Sequence, residues 1–71
     1  SGKGVKGSPA EAARLCRKAA DQGLAEAQWL LSQLYAEGVG VKKSDDEAAR
    51  WCLKAAEQGF KNAVEALGGA V

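Results

Sequence analysis

Cys16 and Cys52 are the side chains in this sequence best suited to do chemistry, and they stand 36 positions apart. The chain has no histidine, so a thiol–histidine nucleophile pair cannot be assembled from it. Two thiols without an imidazole also fall short of the four ligands of a closed zinc site. Equivalent positions on two stacked helices could face one another. Packed helix axes, however, lie about 8–10 Å apart, while a disulfide needs Cα atoms within about 7 Å. The cysteines are therefore read as small buried hydrophobes. No catalytic, metal-ligating or cofactor-binding residue is assigned.

The second candidate chemistry is cationic. Arg14, Arg17, Lys18, Arg50 and Lys54 form a basic stripe along two helices. Glu11 lies three residues before Arg14, Asp21 lies four after Arg17, and Glu47 and Glu57 are placed similarly. Two readings stand. Pairs at such spacings can simply make a solvated, internally paired helix face. Alternatively, the planar guanidinium donors of Arg14, Arg17 and Arg50 can receive carboxylates of an acidic peptide. Trp29, Trp51 and Tyr35 could be exposed binding anchors, but are read as filling the space between helices, with the Tyr35 hydroxyl on a neighbouring backbone group. The stretch SGKGVKGS (Ser1–Ser8) lacks the spacing of a phosphate-binding loop, and no strand precedes it.

The elements that would position these residues follow from an internal repeat. GVKGSPAEAARLCRKAADQG (Gly4–Gly23) and GVKKSDDEAARWCLKAAEQG (Gly40–Gly59) agree at 14 of 20 positions. Each copy carries a capping box, Ser8 with Glu11 and Ser44 with Glu47. There the hydroxyl accepts from the third helical N–H and the carboxylate reaches back to the cap. Pro9 suits the first helical position. The first helices run to Gln22 and Gln58, where Gly23 and Gly59 close them in the left-handed conformation. Leu24, Ala27, Leu31, Leu34 and Tyr35 then recur at helical spacing and predict a second helix stopped by Gly38. A short joint follows over Val39–Lys43, with Gly40 at positive φ. The second copy's helix is expected from about Lys61 to Val71, weakened by Gly68 and Gly69. Small residues recur at Ala12, Cys16, Ala19 and Ala20 and again at Ala48, Cys52, Ala55 and Ala56, which lets helices approach closely.

The expected organisation is all-α, with about four helices in two antiparallel helix hairpins stacked as an α-solenoid. One domain is expected over 1–71, with repeats at 8–43 and 44–71 and a joint-like segment at 1–7. Ten basic and nine acidic residues balance to a net +1. That offers no strong field for nucleic acid or anionic lipid. No apolar run approaches the roughly 18 residues of a membrane span, and no compartment is read from the sequence.

AARWCLKAAEQG (Ala48–Gly59) resembles the Sel-1-like repeat signature AxxWYxKAAEQG. Ala27-Gln28-Trp29-Leu30-Leu31, then Leu34-Tyr35, Gly38, Gly40-Val41 and Lys43 resemble its continuation. Ser32 departs from it where a glycine is usual, Cys16 and Cys52 stand at an aromatic position, and Leu15 replaces the first tryptophan. The resemblance implies a right-handed superhelical scaffold for protein–protein contacts, often bacterial, with the first helix of each repeat lining the concave face. The resulting expectation is a non-enzymatic adaptor that binds a protein or peptide on that face and needs no cofactor. A structural or excised module without its own ligand is the alternative, and a docking arm of an enzyme complex a further one.

Two repeats bury less apolar surface than the three or more usually needed. We expect a low thermal midpoint, or self-association through the end of the last helix near Leu67–Val71. A midpoint both high and unchanged across a dilution of about a hundredfold would contradict this.

Overall fold

The computed structural model describes residues 8–68, and these form four helices: α1 (Pro9–Asp21), α2 (Ala25–Glu37), α3 (Asp45–Glu57) and α4 (Lys61–Ala66). No strand occurs among the described residues, and the architecture is the expected α-solenoid of helix hairpins. The joint-like segment 1–7 and the last residues, 69–71, lie outside the described range.

Both serine caps form. The Ser8 hydroxyl accepts from the Glu11 N–H at 3.3 Å, and Ser44 accepts from the Glu47 N–H at 3.2 Å. Neither box closes reciprocally. The Glu11 carboxylate accepts instead from Arg14 at 2.6 Å. The Ser44 N–H is already taken by the Tyr35 carbonyl at 3.0 Å, which leaves the Glu47 carboxylate no orphan donor there. That bond also ties the start of α3 to the end of α2.

At the other end of α1, Gly23 donates to the Ala20 carbonyl and Leu24 to the Ala19 carbonyl. Gly59 and Phe60 repeat the pattern on Ala56 and Ala55. These paired bonds satisfy the last carbonyls of the helix and turn the chain tightly into the next one. The final helix is shorter than expected. It ends at Ala66, with Leu67 as its cap and Gly68 at φ 106°. A left-handed residue cannot continue the helix, so the expected run to Val71 is not made as far as Gly68.

The most extensive helix contact is between α2 and α3, so the second helix of one hairpin carries the first helix of the next. Two small cores result. Ala20, Leu31 and Trp51 form one, with Cys16, Ala27, Leu34 and Tyr35 against it. Cys52, Ala55 and Ala63 form the other, with Trp29, Ala56 and Phe60 against it. Each tryptophan thus packs into the core of the hairpin it does not belong to.

The joint between hairpins is held at Gly40, at φ 77°, where an added Cβ would lie 2.2 Å from the Pro9 carbonyl oxygen and 3.0 Å from the Ala13 Cβ. Gly23 has the same backbone demand at φ 93° but nothing within 4 Å of an added Cβ. Positive φ alone costs a non-glycine residue about 1–3 kcal/mol. At Gly40 a backbone collision adds to that cost. Chemical denaturation should therefore rank Gly40→Ala well below Gly23→Ala in stability. Equal losses would show that the joint is not pressed on α1.

Candidate functional site

The structure sorts the five basic residues of the stripe by what each touches. Arg14 on α1 is exposed and paired with Glu11 at 2.6 Å. That hydrogen bond, reinforced by the opposite charge, raises the guanidinium pKa further. Arg17 is paired with Asp21 at 3.5 Å, donates to the Tyr35 hydroxyl at 3.4 Å, and lies 5.6 Å from the centroid of the Trp51 ring. Lys54, one turn along α3 from Trp51, places its ammonium 5.7 Å from the same centroid. Lys18 and Arg50 are exposed and make no ion pair among the described residues.

The arrangement around Trp51 therefore joins two hairpins. The indole is 6% exposed, and its ring carries a cation from α1 and another from α3. Each such contact contributes about 0.5–1 kcal/mol at an exposed site. No acceptor reaches the Trp51 indole N–H among the described residues. Tyr35 bonds through its hydroxyl to the Arg17 side chain, not to a backbone group as expected from sequence.

Beside this cluster lies a cavity of about 240 Å³. Ala13, Leu31 and Val41 supply its apolar lining, and Arg14, Arg17 and Tyr35 its polar groups. Pockets for small organic ligands run from about 300 to 1,000 Å³, so this one suits a single side chain better than a cofactor. Its two arginines are held in exposed ion pairs. Such pairs are worth about 0–1 kcal/mol, so an incoming carboxylate can displace them at little cost.

The cysteines take no part in that cavity. The Cys16 thiol donates to the Ala27 carbonyl at 3.2 Å, and the Cys52 sulfur lies 3.8 Å from the Ala63 carbonyl. Both are free thiols, and each points across its own hairpin. Among the described residues no cluster of three or more histidine, cysteine or acidic side chains could hold a metal.

Sequence reasoning missed a polar tie between the hairpins. Buried Gln28 donates to the Ala20 carbonyl at 3.2 Å and accepts from Gln58 at 2.9 Å. Gln58 also donates to the Gly23 carbonyl at 2.8 Å. The available signal was Gln28 itself, a polar residue within the apolar stripe of α2. Ser32, at the position where a glycine was expected, buries its hydroxyl by donating to the Trp29 carbonyl at 2.6 Å.

Residues 1–24 and 25–60 each match the Sel1 repeat family. The division falls at Ala25, the first residue of α2. The crystal structure of a Sel1 repeat protein from Oxalobacter formigenes is 43% identical, with a TM-score of 0.86 over 94% of this chain. The matched segment is 27% of the length of that protein. A comparison with curated proteins gives no significant match.

Burial pushes both thiols above their ordinary pKa of 9.0. The sign follows directly: above that value unfolded thiols ionise while folded ones keep their protons, so stability falls as pH rises through it. Denaturation midpoints should drop from pH 8 towards pH 10, and a Cys16→Ala/Cys52→Ala variant should show a shallower drop. Parallel pH profiles would mean that the thiols are not desolvated.

Proposed function

We propose, from the premise that this chain belongs to the Sel1 repeat family, that it binds a protein partner through the face made by α1 and α3. Sel1 repeats are in general protein-interaction modules, and the finer reading rests on the residues of that face. The ligand is a peptide segment carrying a carboxylate next to an aliphatic group. Its aliphatic part enters the cavity over Ala13, Leu31 and Val41, and its carboxylate takes the guanidinium groups of Arg14 and Arg17. Lys18, Arg50 and Lys54 extend the same sign of charge along the two helices, which orients an acidic segment before contact. Nothing in this mode needs a proton transfer or a nucleophile.

The single observation that carries the reading is the cavity with two exposed, weakly paired arginines on its polar side. A carboxylate that takes Arg14 and Arg17 together exchanges two weak exposed pairs for one shared by both guanidinium groups, and the peptide gains apolar burial besides. Asp45, Asp46 and Glu47 crowd the first turn of α3, so the cationic part of this face lies over the later turns of that helix, beside Arg14 and Arg17 of α1.

Peptides selected from a displayed random library on the folded chain should be enriched in Asp, Glu or a free C-terminal carboxylate. Their affinity should fall with added salt. The Arg14→Glu/Arg50→Glu variant, shown by circular dichroism to be folded, should bind them at least about tenfold more weakly. Selected peptides without acidic enrichment, or equal binding by the variant, would move the binding surface elsewhere.

A further inference from the structure

We infer that the cavity over Ala13 and Leu31 receives the C-terminal residue of a partner chain, one with an aliphatic side chain and a free main-chain carboxylate. The inference rests on the basic-face reading and names the part of the ligand that this face takes.

The order of chemistry from floor to rim carries the argument. Ala13 is 2% exposed and Leu31 0%, and both line the cavity, so its floor is apolar. Arg14 and Arg17 line it too, but their side chains are 62% and 50% exposed. The cations therefore stand at the rim. An aspartate or glutamate entering from solvent carries its carboxylate foremost and its methylene groups behind. It would drive the charge onto Ala13 and Leu31, where burial without a partner is costly. A C-terminal residue has the opposite order. Its side chain points inward while its carboxylate stays on the backbone, at the level of the guanidinium groups.

Two neighbouring side chains are a poorer occupant. In an extended peptide successive side chains point to opposite faces, and residues i and i+2 stand about 6.6 Å apart. A cavity of about 240 Å³ suits one side chain. At a C-terminus both groups hang from one Cα, so a single residue satisfies floor and rim together.

The surroundings fit a chain that ends here. Gly40 closes the cavity towards the start of α1. A Cβ there would lie 2.2 Å from the Pro9 carbonyl oxygen, so no peptide passes beneath the joint. Arg14 and Arg17 are one helical turn apart, which brings two planar donors to one side. Each oxygen of a carboxylate can then take its own guanidinium. Tyr35 also lines the cavity, and its hydroxyl oxygen accepts from Arg17 at 3.4 Å. The phenolic proton remains to be donated to the same carboxylate.

The test uses N-acetylated hexapeptide pools and the 15N-labelled chain. One pool is randomised over neutral residues and ends in leucine or valine as the free acid. A second is its C-terminal amide. A third is also an amide but carries a fixed internal glutamate beside leucine. The free acids should shift the amides of Ala13, Arg14, Arg17 and Leu31, and both amide pools should bind at least about tenfold more weakly. Arg14→Gln and Tyr35→Phe, each folded by circular dichroism, should both weaken the free acids. If the internal-glutamate amides bind as tightly as the free acids and lose binding in Arg14→Gln, the inference is overturned while the basic-face reading stands. Equal binding by free acids ending in glycine would also overturn it, by leaving the floor unused. Binding indifferent to Arg14→Gln, shifts centred elsewhere, or no shifts with any pool at millimolar peptide would overturn both.

Discussion

The structure depends on an exchange of two indoles between hairpins. Trp51 leaves α3 to pack on Ala20 and Leu31, and Trp29 leaves α2 to pack on Cys52, Ala55 and Phe60. Neither hairpin encloses a sizeable core by itself, since alanines and a cysteine supply most of the buried positions. Close approach of small-residue helices leaves gaps, and a large aromatic from the neighbour fills each one. The stability of either unit is therefore mostly a property of the contact between them, as expected for stacked repeats.

The same exchange shapes the electrostatics. Because Trp51 lies under the seam between α1 and α3, its ring face receives Arg17 from one helix and Lys54 from the other. Two like charges held over one ring would repel in isolation. Asp21 beside Arg17 offsets part of that repulsion. The polar tie Gln28–Gln58 joins the hairpins at the turn that Gly23 ends, using the carbonyls of Ala20 and Gly23. Apolar, cationic and amide contacts thus all cross the boundary between repeats.

Much of the fold was legible from local chemistry. Serine caps, Pro9 and the closing glycines each act within a few residues, so their outcome could be read from neighbours in sequence. At the two capping boxes the departures were cases of competition. Glu11 found Arg14 a better partner than the cap, and the Ser44 N–H was claimed by Tyr35 from another helix. The basic stripe was legible as a list of residues but not as a set of roles. Arg17 and Arg14 have near-equivalent spacing to a carboxylate, yet only Arg17 meets Trp51, because that meeting depends on how the hairpins stack. Leu15 and Trp51 occupy the same place in the repeat, and Trp51 is buried because Ala20 and Leu31 of the first hairpin cover it.

The six-residue α4 has a consequence for folding order. Isolated helices shorter than about 12 residues are marginal in water, and Ala63 is its only buried side chain. Its amide protons are thus shielded by little more than Cys52, Ala55 and Phe60, whereas α2 is clasped on both sides. Opening of α4 leaves the α1–α2 and α2–α3 contacts in place, so fraying there should precede loss of the contact between hairpins. Among the described residues, the longest side-chain hydrogen bond in sequence terms, Gln58 to Gly23, spans 35 residues, about one repeat. Local opening of α4 costs less than global unfolding.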